Sequence, residues 1–177
     1  MQIHSKRVKK TITIIGGGLA GAEAAYQAAK IGLEVELVEM RPQVMTEAHG
    51  SGFLAEMVCS NSLGSEEITS ASGLLKRELK MLDSFFLRCA EKNRVPAGGS
   101  LSVDRLQLAA SVTAELEAVP GIRIIRREIR EIPAGDAPLI IASGPLTSPA
   151  FAEALSGLTM RKNLYFFDAT CPLIRAE

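Results

Sequence analysis

An α/β fold built on a parallel sheet is what this 177-residue sequence predicts, and three adjacent segments predict it. Thr11 to Ile15 is β-branched throughout, as expected of a strand covered on both faces. It leads without a break into glycines at 16, 17 and 18, with another at 21. Leu19 to Ile31 is then alanine-rich and free of proline, which favours helix, and Gly32 stands where a left-handed C-terminal cap is wanted. A second strand, Val35 to Val38, ends in Glu39. Strand, glycine turn, helix and strand in this order open a Rossmann-like unit.

Gly16, Gly18 and Gly21 fit Gly-x-Gly-x-x-Gly, and each has a separate physical task. Gly16 permits the tight turn off the strand, Gly18 lets the backbone approach a pyrophosphate, and Gly21 lets the helix pack closely on the sheet. The unpaired N–H groups along Gly17, Gly18, Leu19 and Ala20, with the positive end of the helix dipole, suit phosphate. Glu39 lies eighteen residues beyond Gly21, where a carboxylate accepts hydrogen bonds from an adenosine ribose. The same charge repels a 2′-phosphate, so the site favours FAD or NAD over NADP. Arg41 reads either as a donor to the cofactor or as a solvated loop charge. The plain alternative is a glycine turn in a flavodoxin-like sheet with Glu39 merely solvated; the register of all four features favours the dinucleotide.

Length fits one domain, here 1–177, and 47% hydrophobic residues with a mean hydropathy of +0.17 supply ample core. Twenty basic residues balance twenty acidic ones, so no overall field announces a nucleic-acid partner. Local basic clusters at Lys6 to Lys10 and around Arg123, Arg126, Arg127 and Arg130 read as solvated faces rather than RNA contacts. No apolar run is long enough to span a bilayer, and the basic start leads into a five-residue strand rather than a signal-peptide core; the expected location is the cytoplasm.

Beyond Glu39, residues 41 to 71 carry Pro42, His49, several glycines and many Ser and Thr without clear strand character. Long insertions of this kind are usually functional, and residues 41–110 as a whole read as a loop and helical insertion within the domain. An amphipathic helix is predicted from about Gly73 to Asn93, then a proline-glycine turn at VPAGG, then a helix from Asp104, as N-cap, to Val119. GIRIIRREIREIP reads as two strand segments, and PLIIASGP as a buried strand ending in a glycine turn.

Three cysteines are too few and too scattered for a zinc knuckle or a disulfide framework. Cys89 continues the stripe Leu75, Leu79, Leu82, Phe86 and reads as a core hydrophobe. Cys171 has no evident partner. Cys59 sits among hydroxyl and amide groups in AEMVCSNSLGS, a setting that allows an exposed, tuned thiol.

Ala142, Ser143 and Gly144 stand where flavoproteins with two dinucleotide-binding regions carry Ala-Thr-Gly after an apolar strand, which favours FAD over NAD. The blocks IIGGGLAGAEAA, VELVEMRP, AEMVCSNSLGS, SGLLKRELKMLDS, VPAGGSLSVDR, ASGPLTSP and YFFDA resemble, in order, those of the folate- and FAD-dependent tRNA uracil-5-methyltransferases, the TrmFO family. The related glucose-inhibited-division flavoproteins share the opening glycines. The resemblance implies transfer of a one-carbon unit from methylenetetrahydrofolate to C5 of a T-loop uridine in tRNA, with FAD carrying the reducing equivalents and NAD(P)H reloading it. It also assigns Cys59 to the active site, as acid/base or nucleophile. The family's chains are much longer, so this sequence reads as an N-terminal portion of an incomplete two-dinucleotide-binding flavoprotein, expected to bind flavin weakly and catalyse poorly by itself. Other flavin-dependent RNA-modifying enzymes, acting on ribosomal RNA or wobble uridines, and a non-catalytic nucleotide-binding fragment remain as alternatives.

Overall fold

The computed structural model describes residues 10–159, and within them the predicted opening unit forms. β1 (Thr11–Ile15) buries Ile12, Ile14 and Ile15 and runs into α1 (Leu19–Lys30), whose buried face is Gly21, Ala22, Ala25 and Ala28. Small residues on that face let the helix axis lie close to the sheet. Gly32 adopts φ +89° and closes α1 as a left-handed cap, donating to the Ala29 carbonyl at 2.8 Å. β2 (Glu34–Glu39) then pairs parallel with β1, from Thr11 opposite Glu34 to Ile15 opposite Val38.

Two later strands, β6 (Ile122–Arg126) and β7 (Leu139–Ile141), complete a parallel sheet in the order β6-β2-β1-β7. The chain builds outward from β1 through β2 to β6 and then crosses to the other side of β1. In open α/β sheets such a reversal leaves a crevice at the carboxyl ends of the strands, and ligands bind there. Topology therefore marks Gly16 and the residues after Ile141 independently of the glycine pattern.

Between β2 and β6 lie β3 (Ser62–Ser65), α2 (Ala71–Met81), α3 (Phe85–Lys92), β4 (Arg94–Val95), β5 (Ser100–Val103) and α4 (Arg105–Glu117), and α5 (Pro149–Thr159) follows β7. β3, β5 and β4 form a small antiparallel sheet, with the VPAGG turn closing the β4–β5 hairpin. Asp104 caps α4 as predicted, accepting from the Gln107 N–H at 3.0 Å. Phe85, Leu87, Cys89, Leu108, Val112 and Leu116 pack with Ile12, Ile14, Val35 and Leu37 into one core. Each such large side chain contributes about 1.5–3 kcal/mol by leaving water. No described helix is long and apolar enough to cross a membrane.

Five expectations are corrected. The helix expected over 73–93 is two helices, because Asp83 takes φ +55° and Ser84 caps α3 through the Leu87 N–H. Glu23 reinforces the break by accepting the Phe85 and Phe86 N–H groups. The stripe through Leu75 and Leu82 is consequently not one face: both are exposed, whereas Cys89 is fully buried on α3. Within 41–71, β3 is a strand despite its Ser and Gly content; pairing with β5 overrides weak propensity, and Gly64 at φ +78° lies within the irregular pairing. Of the two strand segments read in GIRIIRREIREIP only the first forms, since the Arg127 N–H to Glu39 carbonyl bond ends at the last residue of β2. β7 is not buried: Ile140 and Ile141 are each 37% exposed, because among the described residues β7 is an edge strand paired with β1 alone. Cys171, YFFDA and most of the Lys6 to Lys10 cluster lie outside the described residues.

Candidate functional site

The glycines do three different things. Gly16 takes φ +102°, and a Cβ there would stand 2.5 Å from the Ala142 carbonyl oxygen, so the ends of β1 and β7 meet backbone to backbone. A Cβ on Gly21 would fall 1.8 Å from the Gly16 oxygen, which forces glycine where α1 meets the turn. At Gly18 there is open space, nothing lying within 4 Å of the corresponding Cβ position. Gly18 is the α1 N-cap with no side-chain hydrogen bond, and no acidic residue occupies the first turn. The first N–H groups of α1 at Leu19 and Ala20 thus start a helix with no built-in anion.

Ser143 lines a cavity at the strand ends together with Ile15, Gly16, Val38, Glu39 and Phe151. The Thr147 hydroxyl lies 2.7 Å from both Ser143 Oγ and the Gly144 carbonyl, and Gly144 turns away at φ +68°. Ala142 lies against Gly16 at the end of β1, and Ser143 and Gly144 follow it at the cavity's edge.

Glu39 is buried at the end of β2. Its Oε2 accepts the Gly17 N–H at 2.8 Å, and its Oε1 accepts the Arg41 N–H at 3.0 Å and Arg41 Nε at 2.9 Å. Burial alone would raise this carboxyl; the Arg41 hydrogen bond and charge, with the two backbone donors, outweigh it and hold the group below the ordinary glutamate range. Gly17 thereby gives its own N–H to Glu39 and not to a ligand.

Arg41 is neither solvated nor on a free loop. It is 2% exposed, and its Nη1 reaches Glu56 Oε2 at 3.2 Å while the Arg126 guanidinium donates to its carbonyl. Glu56 in turn accepts the Gly50 N–H at 2.8 Å and both the N–H and hydroxyl of Ser51. The segment carrying Glu56 docks on the glycine turn itself. Ala55, held at φ +51°, donates to the Gly17 carbonyl at 2.8 Å; Leu54 packs so closely that a Cβ on Gly17 would lie 2.4 Å from its Cδ2. Thr113 on α4 accepts the Leu54 N–H from the far side.

Cys59 comes four residues after Ala55, within roughly 14 Å along even a fully extended chain. It is exposed and lines an open cleft of about 1060 Å³ with Glu56, Ser60, Asn61, Asp104 and Arg105. Arg105 at the start of α4 donates to the Met57 and Val58 carbonyls just before the thiol. A cation at a helix N-terminus opposes the dipole, so this bridge is what its position there provides.

Sequence reasoning places Gly16, Gly18, Gly21, Glu39, Ser143 and Cys59 around one end of the sheet, and the structure brings the first five together there. It misses Leu54, Ala55 and Glu56, which join the Cys59 segment to the glycine turn. The available signal is a carboxylate three residues before Cys59 and a nearby arginine with no assigned partner.

The family model described as Glucose inhibited division protein A matches residues 11–177. Among curated proteins, the chain is 54% identical over 166 residues to the methylenetetrahydrofolate–tRNA-(uracil-5-)-methyltransferase TrmFO of Moorella thermoacetica, a match covering 94% of this chain and 38% of that protein. TrmFO of Heliobacterium modesticaldum is 53% identical over 167 residues, with the same shares. The chain thus spans about 38% of the length of these relatives. Among solved structures, GidA of Aquifex aeolicus superposes with a TM-score of 0.55 at 18% identity, over 72% of this chain and 21% of that one, a likeness of fold.

Proposed function

The chain belongs to the Glucose inhibited division protein A family, and from that premise we propose that it forms the FAD-binding part of a folate-dependent tRNA uracil-5-methyltransferase. The observation that carries this reading is the docking of Leu54 to Glu56 on the glycine turn, which joins a dinucleotide site to an exposed cysteine. The half-identical relatives, named as methylenetetrahydrofolate–tRNA-(uracil-5-)-methyltransferases, support the same reaction.

The residues present fit FAD. Gly18 leaves free the space a side chain would fill, so a pyrophosphate can approach the Gly18, Leu19 and Ala20 N–H groups, and Glu39 faces the adjoining cavity as the ribose acceptor. Ser143, which lines the same cavity, and Gly144 after it would lie beside the cofactor when it is bound. When bound, FAD supplies the reducing equivalents that turn a transferred methylene into a methyl, methylenetetrahydrofolate being the one-carbon donor and NAD(P)H the reductant of the flavin. Cys59 supplies the thiol that acts on the uracil ring as nucleophile or acid/base, and Arg105 holds the loop that carries it.

The test has two steps. The purified chain should quench FAD fluorescence saturably, and Gly18→Val should not. The matched segment should then be exchanged into Moorella thermoacetica TrmFO and assayed with labelled methylenetetrahydrofolate on tRNA and on ribosomal RNA. Label in the tRNA T-loop is the expected result; a chimera that holds FAD yet labels neither RNA, or labels ribosomal RNA alone, refutes the assignment.

A further inference from the structure

We propose that Arg41 and Glu56 form a latch through which occupancy of the adenosine ribose site at Glu39 fixes the segment bearing Cys59, making both positioning residues. The latch rests on the reading of this site as a dinucleotide site.

An ionised carboxylate offers about four acceptor positions. Among the described residues three are taken at Glu39: Oε2 by Gly17, and both positions of Oε1 by Arg41. A ribose presents two adjacent hydroxyls. One can bind the remaining position on Oε2; the second competes with Arg41 Nε for Oε1. At Glu56, Oε1 accepts only the Gly50 N–H among the described residues, which leaves a further position there, and Arg41 Nη1 is already 3.2 Å from Oε2 of the same group. A guanidinium displaced from Glu39 therefore has a second carboxylate within reach and stays paired in a buried site, where an unpaired charge would be strongly unfavourable. Moving toward Glu56, it tightens a node that already binds Gly50 and Ser51 and lies three residues before Cys59.

The second connection is backbone. Ala55 is latched to the Gly17 carbonyl while the Gly17 N–H is held by Glu39, so the two sides of one peptide-long turn face the ribose acceptor and the Cys59 segment. Any shift of Glu39 on binding is transmitted through Gly17 to Ala55, whose left-handed conformation leaves little freedom to absorb it. Both routes end at residues 55 and 56, and neither requires the flavin end of a cofactor.

ADP is therefore the probe, since it carries the ribose and diphosphate but has no flavin ring to shield a thiol. Alkylation of Cys59 is measured by peptide mass spectrometry on the purified chain, with and without saturating ADP, in wild type and in Glu56→Gln. The amide isostere removes the charge that attracts Arg41 and keeps one oxygen, an acceptor for Gly50 or for Ser51 but not for both, so the ratio with and without ADP and not the absolute rate is the readout. ADP should slow wild-type Cys59 labelling by about fivefold or more, the lower end of ordinary coupling between sites, and Glu56→Gln should bring the ratio toward unity. Because coupling is reciprocal, ADP affinity should fall in that variant by no more than the same factor. A purely structural role for Glu56 would alter labelling equally with and without ADP and leave the ratio unchanged.

If neither ADP nor FAD binds the wild-type chain, the dinucleotide reading fails and the latch with it. If ADP binds but the labelling rate does not move, or moves equally in Glu56→Gln, the latch is refuted and the dinucleotide reading stands. Should Glu56→Gln fail to fold, hydrogen exchange in wild type decides: ADP must slow exchange across residues 57–62, and unchanged exchange there overturns the proposal.

Discussion

The Gly17 N–H donates to Glu39 Oε2 at 2.8 Å, tying the turn after β1 to the last residue of β2. Because Leu54 closes the other side of Gly17, the neighbouring glycines 17 and 18 should respond oppositely to substitution. Gly17→Ala places a methyl against buried Leu54 and the Glu39 carboxylate, an overpacking that costs about 1–3 kcal/mol. Gly18→Val enters open space from an extended backbone, so the fold should survive while FAD binding is lost. Urea unfolding and flavin titration of both variants check the pair. Equal stability losses would contradict this division of tasks.

A second expectation concerns the buried charges. Arg41→Ala leaves Glu39 and Glu56 without their shared cation and should destabilise by about 3–5 kcal/mol. The double variant Glu39→Ala/Arg41→Ala removes one of the uncompensated carboxylates and should cost less than the sum of the single changes, a coupling measurable in a double-mutant cycle by urea unfolding. Strict additivity would mean the two groups do not act as a pair. Loss of flavin binding in Glu39→Ala thus reports on folding as well as on the ribose contact.

The range of the forces involved decides which parts of the fold and site are legible in the sequence. The opening unit is readable because β-branched runs, alanine content and glycine spacing act locally, and Glu39 is found because β1 and β2 are joined by a single helix. Arg41 reads in sequence as a cofactor donor or a solvated charge, and its buried pairing goes unseen, because its partner Glu56 is fifteen residues away and its burial is a tertiary outcome. The helix break at Asp83 is hidden because an apolar stripe continues in sequence across it, while Glu23, which caps the second helix, is about sixty residues distant. β3 escapes detection because its Ser and Gly residues have little strand preference, and its partner strand supplies the reason for it to extend.

Acid should weaken the fold in two stages. Burial, with the charge of Arg41 adding to it, holds His49 below its ordinary value of about 6.5. Between that value and its folded one the unfolded chain binds more protons, so stability falls as pH drops below about 6.5. Glu23, Glu39 and Glu56 are held below the ordinary glutamate value of about 4.5, burial being outweighed in each by hydrogen-bond donors. Their contribution is complete above about pH 4.5 and is lost as pH falls through the folded values. Urea midpoints from about pH 7.5 to about 3.5 test this, with His49→Gln expected to remove the upper stage and Glu56→Gln to shrink the lower. A midpoint that stays constant down to about pH 4 would refute the upper stage.

The cysteines give the sharpest contrast. Cys89 is fully buried on α3, and burial, aided by Glu115, pushes its thiol up to about 11. At about pH 8 that leaves about one thiolate in a thousand, and iodoacetamide has no path to it in the folded protein. Cys59 is exposed in an open cleft, with Arg105 fixing the two carbonyls before it. Native alkylation resolved by peptide mass spectrometry should therefore modify Cys59 first and reach Cys89 only when urea unfolds the chain. Arg105→Ala frees the 57–58 carbonyls and should change the Cys59 rate while leaving Cys89 protected; Arg105→Lys, which retains a donor, should restore part of the difference. In the chimera with the Moorella thermoacetica enzyme, Cys59→Ala should stop methyl transfer and keep flavin bound. Wild-type turnover by that variant, or a Cys59 that resists alkylation until Cys89 also reacts, would remove this thiol from the chemistry.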